Sequence, residues 1–146
     1  ATMEMAPQSE SGFLVFEDGW HEVESVPEQP AREWQWTTDR ATISFRNPRA
    51  DSTLYLEVEG RSELFDAPQT LTLAINNAVI QTLEMVPTQP SFHIISIPAA
   101  SFGADDAVLL TLNVDQTFVP ALVTEGKNPD DRKLGVQVYY AFLEQN

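Results

Sequence analysis

Apolar and polar residues alternate along this chain in short runs, each closed by turn-forming residues. Phe13-Leu14-Val15-Phe16 is the first run, and Glu17-Asp18-Gly19 turns the chain before Trp20. Trp34-Gln35-Trp36-Thr37 alternates large rings with polar residues, which puts both tryptophans on one face of a predicted strand. Ala41, Ile43 and Phe45 share a face opposite Thr42, Ser44 and Arg46, and Asn47-Pro48-Arg49-Ala50-Asp51 closes that run. Leu54, Leu56 and Val58 alternate with Tyr55, Glu57 and Glu59 up to Gly60. Two further runs flank Asn76-Asn77, a pair that tolerates positive φ and predicts a tight hairpin. Phe92 to Ile97, Ala107 to Val114 and Leu134 to Phe142 complete the series. The stretch from Glu24 to Arg32 contains Pro27 and Pro30, so it reads as a loop or sheet edge.

This pattern predicts an all-β domain of about eight strands. Helical periodicity is nowhere sustained over three turns, and Pro98 to Phe102 offers one short turn at most. Few positions are apolar on both faces, which favours antiparallel sheets with one wet face each. Such sheets bury their apolar faces against each other, so the predicted architecture is a two-sheet antiparallel β-sandwich of jelly-roll topology. Residues 13–146 are read as that single domain. Residues 1–12 are polar and turn-rich, mildly apolar at Met3, Met5 and Ala6, and read as a flexible leader or docking arm. A chain of 146 residues buries roughly 70% of its unfolded surface and needs no covalent staple.

The charge narrows the partners. Twenty-two acidic residues against 8 basic give a net −14. Counterion release from nucleic acid needs clustered Lys and Arg, and here they are scattered, so no nucleic-acid role is expected. The acidity reads as a solubility device, or as adaptation to a cation-rich setting or bound calcium. No apolar run approaches the ~20 residues that span a bilayer. Cysteine is absent, which removes disulfides, thiolate metal sites and a cysteine nucleophile. A signal peptide is absent or already removed, and the alanine start reads as a mature end or an excised boundary. His21 and His93 are far apart in sequence, and no nucleophile elbow, His-Glu-x-x-His helix or phosphate-cradling glycine loop occurs. The chain is therefore expected not to be an enzyme.

Three constellations are candidates for binding. Trp20, Trp34 and Trp36 each offer a flat ring on which a sugar can stack; the alternative is that Trp34 and Trp36 fill the core. Asp131 and Arg132, within Asp130-Asp131-Arg132, offer a polar grip on sugar hydroxyls; the alternative is an ion pair that pins a loop to the last strand. Glu17, Asp18, Asp105 and Asp106, with Glu144, have the oxygens calcium needs, though in no EF-hand spacing; the alternative is solvated acidic turns.

Certain residues also resemble a known type of domain. Gly19-Trp20 with Glu24, then Trp34-Gln35-Trp36-Thr37 and Ala41-Thr42-Ile43, resembles the opening of a jelly-roll, galactose-binding-like accessory β-sandwich. That type occurs in bacterial surface-glycan proteins, notably the extracytoplasmic regions of membrane glycosyltransferases. Phe118-Val119-Pro120-Ala121 and Asn128-Pro129-Asp130-Asp131-Arg132-Lys133-Leu134-Gly135-Val136 are similar to its approach to the final strand. The Thr70–Asn77 run occupies the place of its central hairpin. The resemblance implies a carbohydrate-associated, extracellular or cell-surface setting with no activity assigned. Two functions are therefore weighed. One is a non-catalytic carbohydrate-binding or carbohydrate-associated module with a glycan partner. The other is a structural subunit of an extracellular assembly (capsid decoration, surface layer or filament protomer), docking onto neighbouring subunits through its leader or an edge strand.

Overall fold

The computed structural model describes residues 13–146, and the expected leader at residues 1–12 lies outside them. Two antiparallel sheets of five strands face each other. The first runs in the order β1 (Val15–Phe16), β4 (Arg40–Arg46), β9 (Ala107–Val114), β6 (Thr70–Ile75), β7 (Ala78–Glu84). The second runs β2 (Glu24–Val26), β3 (Gln29–Trp36), β10 (Gln137–Gln145), β5 (Ser52–Glu59), β8 (Ser91–Ile97). This is the antiparallel jelly-roll sandwich that the alternation predicts.

The alternation fixes which side chains meet. Leu54, Leu56 and Val58 of β5 point inward and are at most 2% exposed, while Tyr55, Glu57 and Glu59 point away. Ile43, Leu71, Leu73 and Leu112 close the core from the other sheet. Each such aliphatic side chain contributes about 1.5–3 kcal/mol by leaving water.

The first run is present as β1, only two residues long, and β2, three residues long, adds a strand within the segment read as loop or edge; both pair at sheet edges. The segment read as loop or edge divides in two. Glu24–Val26 is an edge strand, but Gln29 onward lies between β2 and β10. The register between β2 and β3 slips between Ser25 and Val26, a bulge of the kind that accommodates proline in a strand. Asn76 and Asn77 both take positive φ, 51° and 72°, and close the β6–β7 hairpin. A single helical turn, α1 (Pro120–Val123), was not foreshadowed by the pattern; Pro120 begins it, where a missing N–H costs nothing.

Two of the motifs that carry the resemblance lock together. Thr37, fully buried, takes the Val136 N–H on its hydroxyl at 3.1 Å, and its carbonyl accepts from Gly135 N at 2.8 Å. A Cβ at Gly135 would stand 2.4 Å from both Thr37 Oγ1 and Thr38 O, so only glycine permits this approach. Gln69, also fully buried, ties the same region: its amide donates to Gln116 O at 2.8 Å and Gly135 O at 2.9 Å, and its oxygen accepts from Arg61 N at 2.7 Å. These contacts fix the start of β10 beside the end of β3, where the cleft lies.

Candidate functional site

The face of the second sheet that turns away from the core is lined with rings. Register places Glu24 opposite Trp34 and Gln137 opposite Trp36, so all four side chains share this face. A bulge between Val138 and Tyr140 lets β10 present Tyr139 there as well. Trp34 packs against Tyr139 at 6.1 Å between centroids, and Trp36 meets Phe118 edge-on at 5.6 Å. Arg32 lies 4.0 Å over the Tyr139 ring while pairing with Glu57 at 3.0 Å. Arg61 stands 5.3 Å over Trp36. Aromatic faces attract guanidinium groups, so rings and arginines organise one another.

A cleft of about 380 Å³ opens at the β2–β3 side of this face. That volume is within the ordinary range of small-ligand sites. Trp34 and Trp36 line it from β3. The excursion between Phe118 and Leu134 lines it too, held at its neck by reciprocal backbone hydrogen bonds of 3.0 and 2.8 Å between those two residues. Arg132 stands at its polar part. It forks onto Asp130, Nε to Oδ1 at 2.9 Å and Nη2 to Oδ2 at 2.7 Å, and reaches Glu24 with Nη1 at 2.6 Å. The Arg132 guanidinium holds the Asp130 carboxyl down at about 2, and the two carboxylates raise Arg132 in turn. Burial, and the hydrogen bond to Glu59 at 3.0 Å, push the Tyr139 phenol up to about 12. The cleft is therefore charged in fixed pairs at neutral pH, with rings beside them.

The structure distributes the residues singled out in the sequence unevenly. Trp34, Trp36 and Arg132 come together in the cleft. Asp131 is exposed beside it, and its neighbour Asp130 is the carboxylate that holds Arg132. Trp20 does not line the cleft. Its ring rests 4.4 Å from that of Phe16, and its Nε1 donates to Thr42 O at 2.9 Å. Glu17 lies level with Thr42 and accepts a hydrogen bond from the Ser44 hydroxyl. Asp106 lies level with Asn47 and pairs with Arg49 at 2.6 Å. The acidic pairs 17–18 and 105–106 are thus five residues apart along β4, roughly 17 Å. Glu144 is on the other sheet, bonded to the Tyr55 hydroxyl at 2.8 Å. Among the described residues no three His, Asp or Glu side chains converge to hold a metal.

Phe118, Arg61 and Tyr139 were not singled out as site residues. Strict alternation gave no signal for Tyr139, because the bulge between Val138 and Tyr140 is what sets it on this face.

No protein family and no curated protein matches this sequence. Solved structures share its fold. A family GH115 4-O-methyl-α-glucuronidase, specific for decorated arabinogalactans, superposes over the whole chain with a TM-score of 0.59 at 11% identity; the chain spans 19% of that enzyme. The CBM22-1 xylan-binding domain of Paenibacillus barcinonensis Xyn10C matches over 90% of this chain and 85% of its own length, with a TM-score of 0.52 and 10% identity. A family 35 carbohydrate-binding module from Clostridium thermocellum matches over 91% and 92%, with a TM-score of 0.50 and 9% identity. These likenesses establish the two-sheet β-sandwich as the fold. Among the described residues, no helix is long and apolar enough to cross a membrane.

Proposed function

We propose that this chain is a non-catalytic carbohydrate-binding module of an extracellular protein, and that the glycan sits in the cleft against Trp34, with the buried ring of Trp36 supporting the cleft from beneath. The observation that carries this reading is the meeting of two tryptophans with the Arg132–Asp130–Glu24 cluster in one opening. A pyranose presents an apolar ring face and a rim of hydroxyls. Stacking rings meet the first, and fixed charged donors and acceptors meet the second. The shared fold supports the reading, since two of the similar structures are themselves carbohydrate-binding domains. Trp34→Ala removes a stacking surface without touching the core. Affinity electrophoresis and calorimetry on a polysaccharide panel should show retention by the wild type. The variant should bind at least about tenfold more weakly, equivalent to ~1.4 kcal/mol. Retention of no glycan by the wild type, or equal retention by both proteins, would remove the assignment.

The structural-subunit reading has one observation in its favour. The long edge strand β8 carries no charged residue in a chain of net −14, so two copies meet there without like-charge repulsion. Light scattering over a concentration series decides: a monomer throughout supports the module, and concentration-dependent growth supports the protomer.

A further inference from the structure

The cleft's polar groups are largely committed to one another. Arg132 spends its Nε and both terminal nitrogens on Asp130 and Glu24. Arg61 is held by Glu59 at 3.2 Å and by Gly60 O at 2.9 Å. An anionic ligand would have to compete with these pairs, and a uronate would face their carboxylates. The cleft also has aliphatic walls open to solvent. Leu64 comes from the 3-10 turn after β5 and is 43% exposed, and Val123 comes from α1 and is 49% exposed. The Trp34 indole N–H is buried without a hydrogen bond.

From these observations we infer that the preferred ligand is a neutral 2-acetamido sugar, an inference that rests on the carbohydrate-binding reading above. An acetamido group suits both the aliphatic walls and the carboxylates of the cleft. Its methyl covers Leu64 and Val123. Its N–H donates to a carboxylate of the Glu24–Asp130 cluster without displacing Arg132. A plain hydroxyl at that carbon offers no methyl and leaves the aliphatic walls wet. Discrimination by one such group is of the order of tenfold or more.

The test compares sugars that differ only there. Calorimetry with chitotriose against cellotriose, and with the methyl α-glycosides of N-acetylgalactosamine against galactose, should give at least about tenfold preference for the acetamido member of one pair or both. In the Leu64→Ser/Val123→Ser double variant, whose two positions are exposed and tolerate polar side chains, that preference should fall to within about threefold. Equal affinity within both pairs, or a preference retained by the double variant, overturns the inference. Binding to xylan or galactan without acetamido preference overturns it and leaves the module reading standing. Binding to no glycan at all removes both.

Discussion

The two sheets share one core but turn unlike faces away from it. On the first, the positions opposite the core residues are mostly polar, with two aliphatic exceptions: Thr42 and Ser44 on β4, Leu109, Thr111 and Asn113 on β9, Thr72 on β6 and Val79 on β7. On the second, the same positions hold Trp34 and Trp36 on β3, Tyr139 and Phe142 on β10, Tyr55 on β5 and Phe92 on β8. Threonine is a good strand former and asks nothing of its surroundings beyond a pleated surface. A sandwich is therefore stable with the first kind of face alone. The aromatic face exceeds what the fold requires, and part of it stays wet, with Phe92 53% and Ile94 65% exposed. Exposed aliphatic side chains occur on the first sheet too, at Val79 and Leu109, so the contrast between the two faces lies in the rings.

The strongest way to break the comparison is to truncate matched positions on the two faces. Trp36→Ala should cost about 3–5 kcal/mol in urea unfolding, because its ring is 6% exposed and closed by Phe118. Thr111→Ala on the other face should stay within about 0.5 kcal/mol, since that hydroxyl has no partner to lose. If the two costs were alike, the aromatic face would be no more than generic strand surface.

Arg132→Met comes next. It leaves Asp130 and Glu24 facing each other unpaired, and with the arginine side chain a third exposed, the loss should be about 1–2 kcal/mol. Glycan affinity should fall with it, and calorimetry on the variant shows whether the loop is a pin alone. Phe92→Ser tests the far side of the aromatic face. It should leave stability within about 0.5 kcal/mol and glycan affinity within about twofold, because Phe92 lies outside the cleft.

The smallest effect is in pH. Asp130 titrates near 2 when folded, against an ordinary 3.8, so its ion pair contributes full stability above about pH 4 and loses it as pH falls through 2. The melting-temperature gap between wild type and Asp130→Asn should therefore be constant from pH 7 to 5 and close between pH 4 and 2. A gap unchanged at pH 2 would show that Arg132 does not depend on this carboxylate.

The contrast was partly legible in the chain. Period-two alternation identifies the inward residues of β4 and β5, and it sets Trp34 and Trp36 on one face. What it leaves open is which strand lies beside which. Trp36 meets Phe118 and Gln137 through contacts 82 and 101 residues apart in sequence, and local pattern holds no trace of these. Trp20 illustrates the same limit: a turn context suggests exposure, but its N–H finds the Thr42 carbonyl 22 residues away. Asp130 and Asp131 are chemically alike, and the turn decides between them, since Asn128 Oδ1 takes the Asp130 N–H at 2.9 Å and aims that carboxylate at Arg132. The Leu134-Gly135 motif was visible as a resemblance, and its reason, the close pass of Thr37, is visible only in the fold.

The central claim is that glycan binds at the aromatic face, in the cleft. The most direct measurement is an amide and indole NMR titration of the intact chain with chitotriose, and with xylan and galactan oligosaccharides in parallel. The account predicts saturable shifts at the Trp34 and Trp36 indoles, Arg132 and the Phe118–Leu134 excursion, with Thr42, Thr72 and Thr111 unmoved. Saturable shifts centred on the threonine face, or none with any of these sugars, would contradict it.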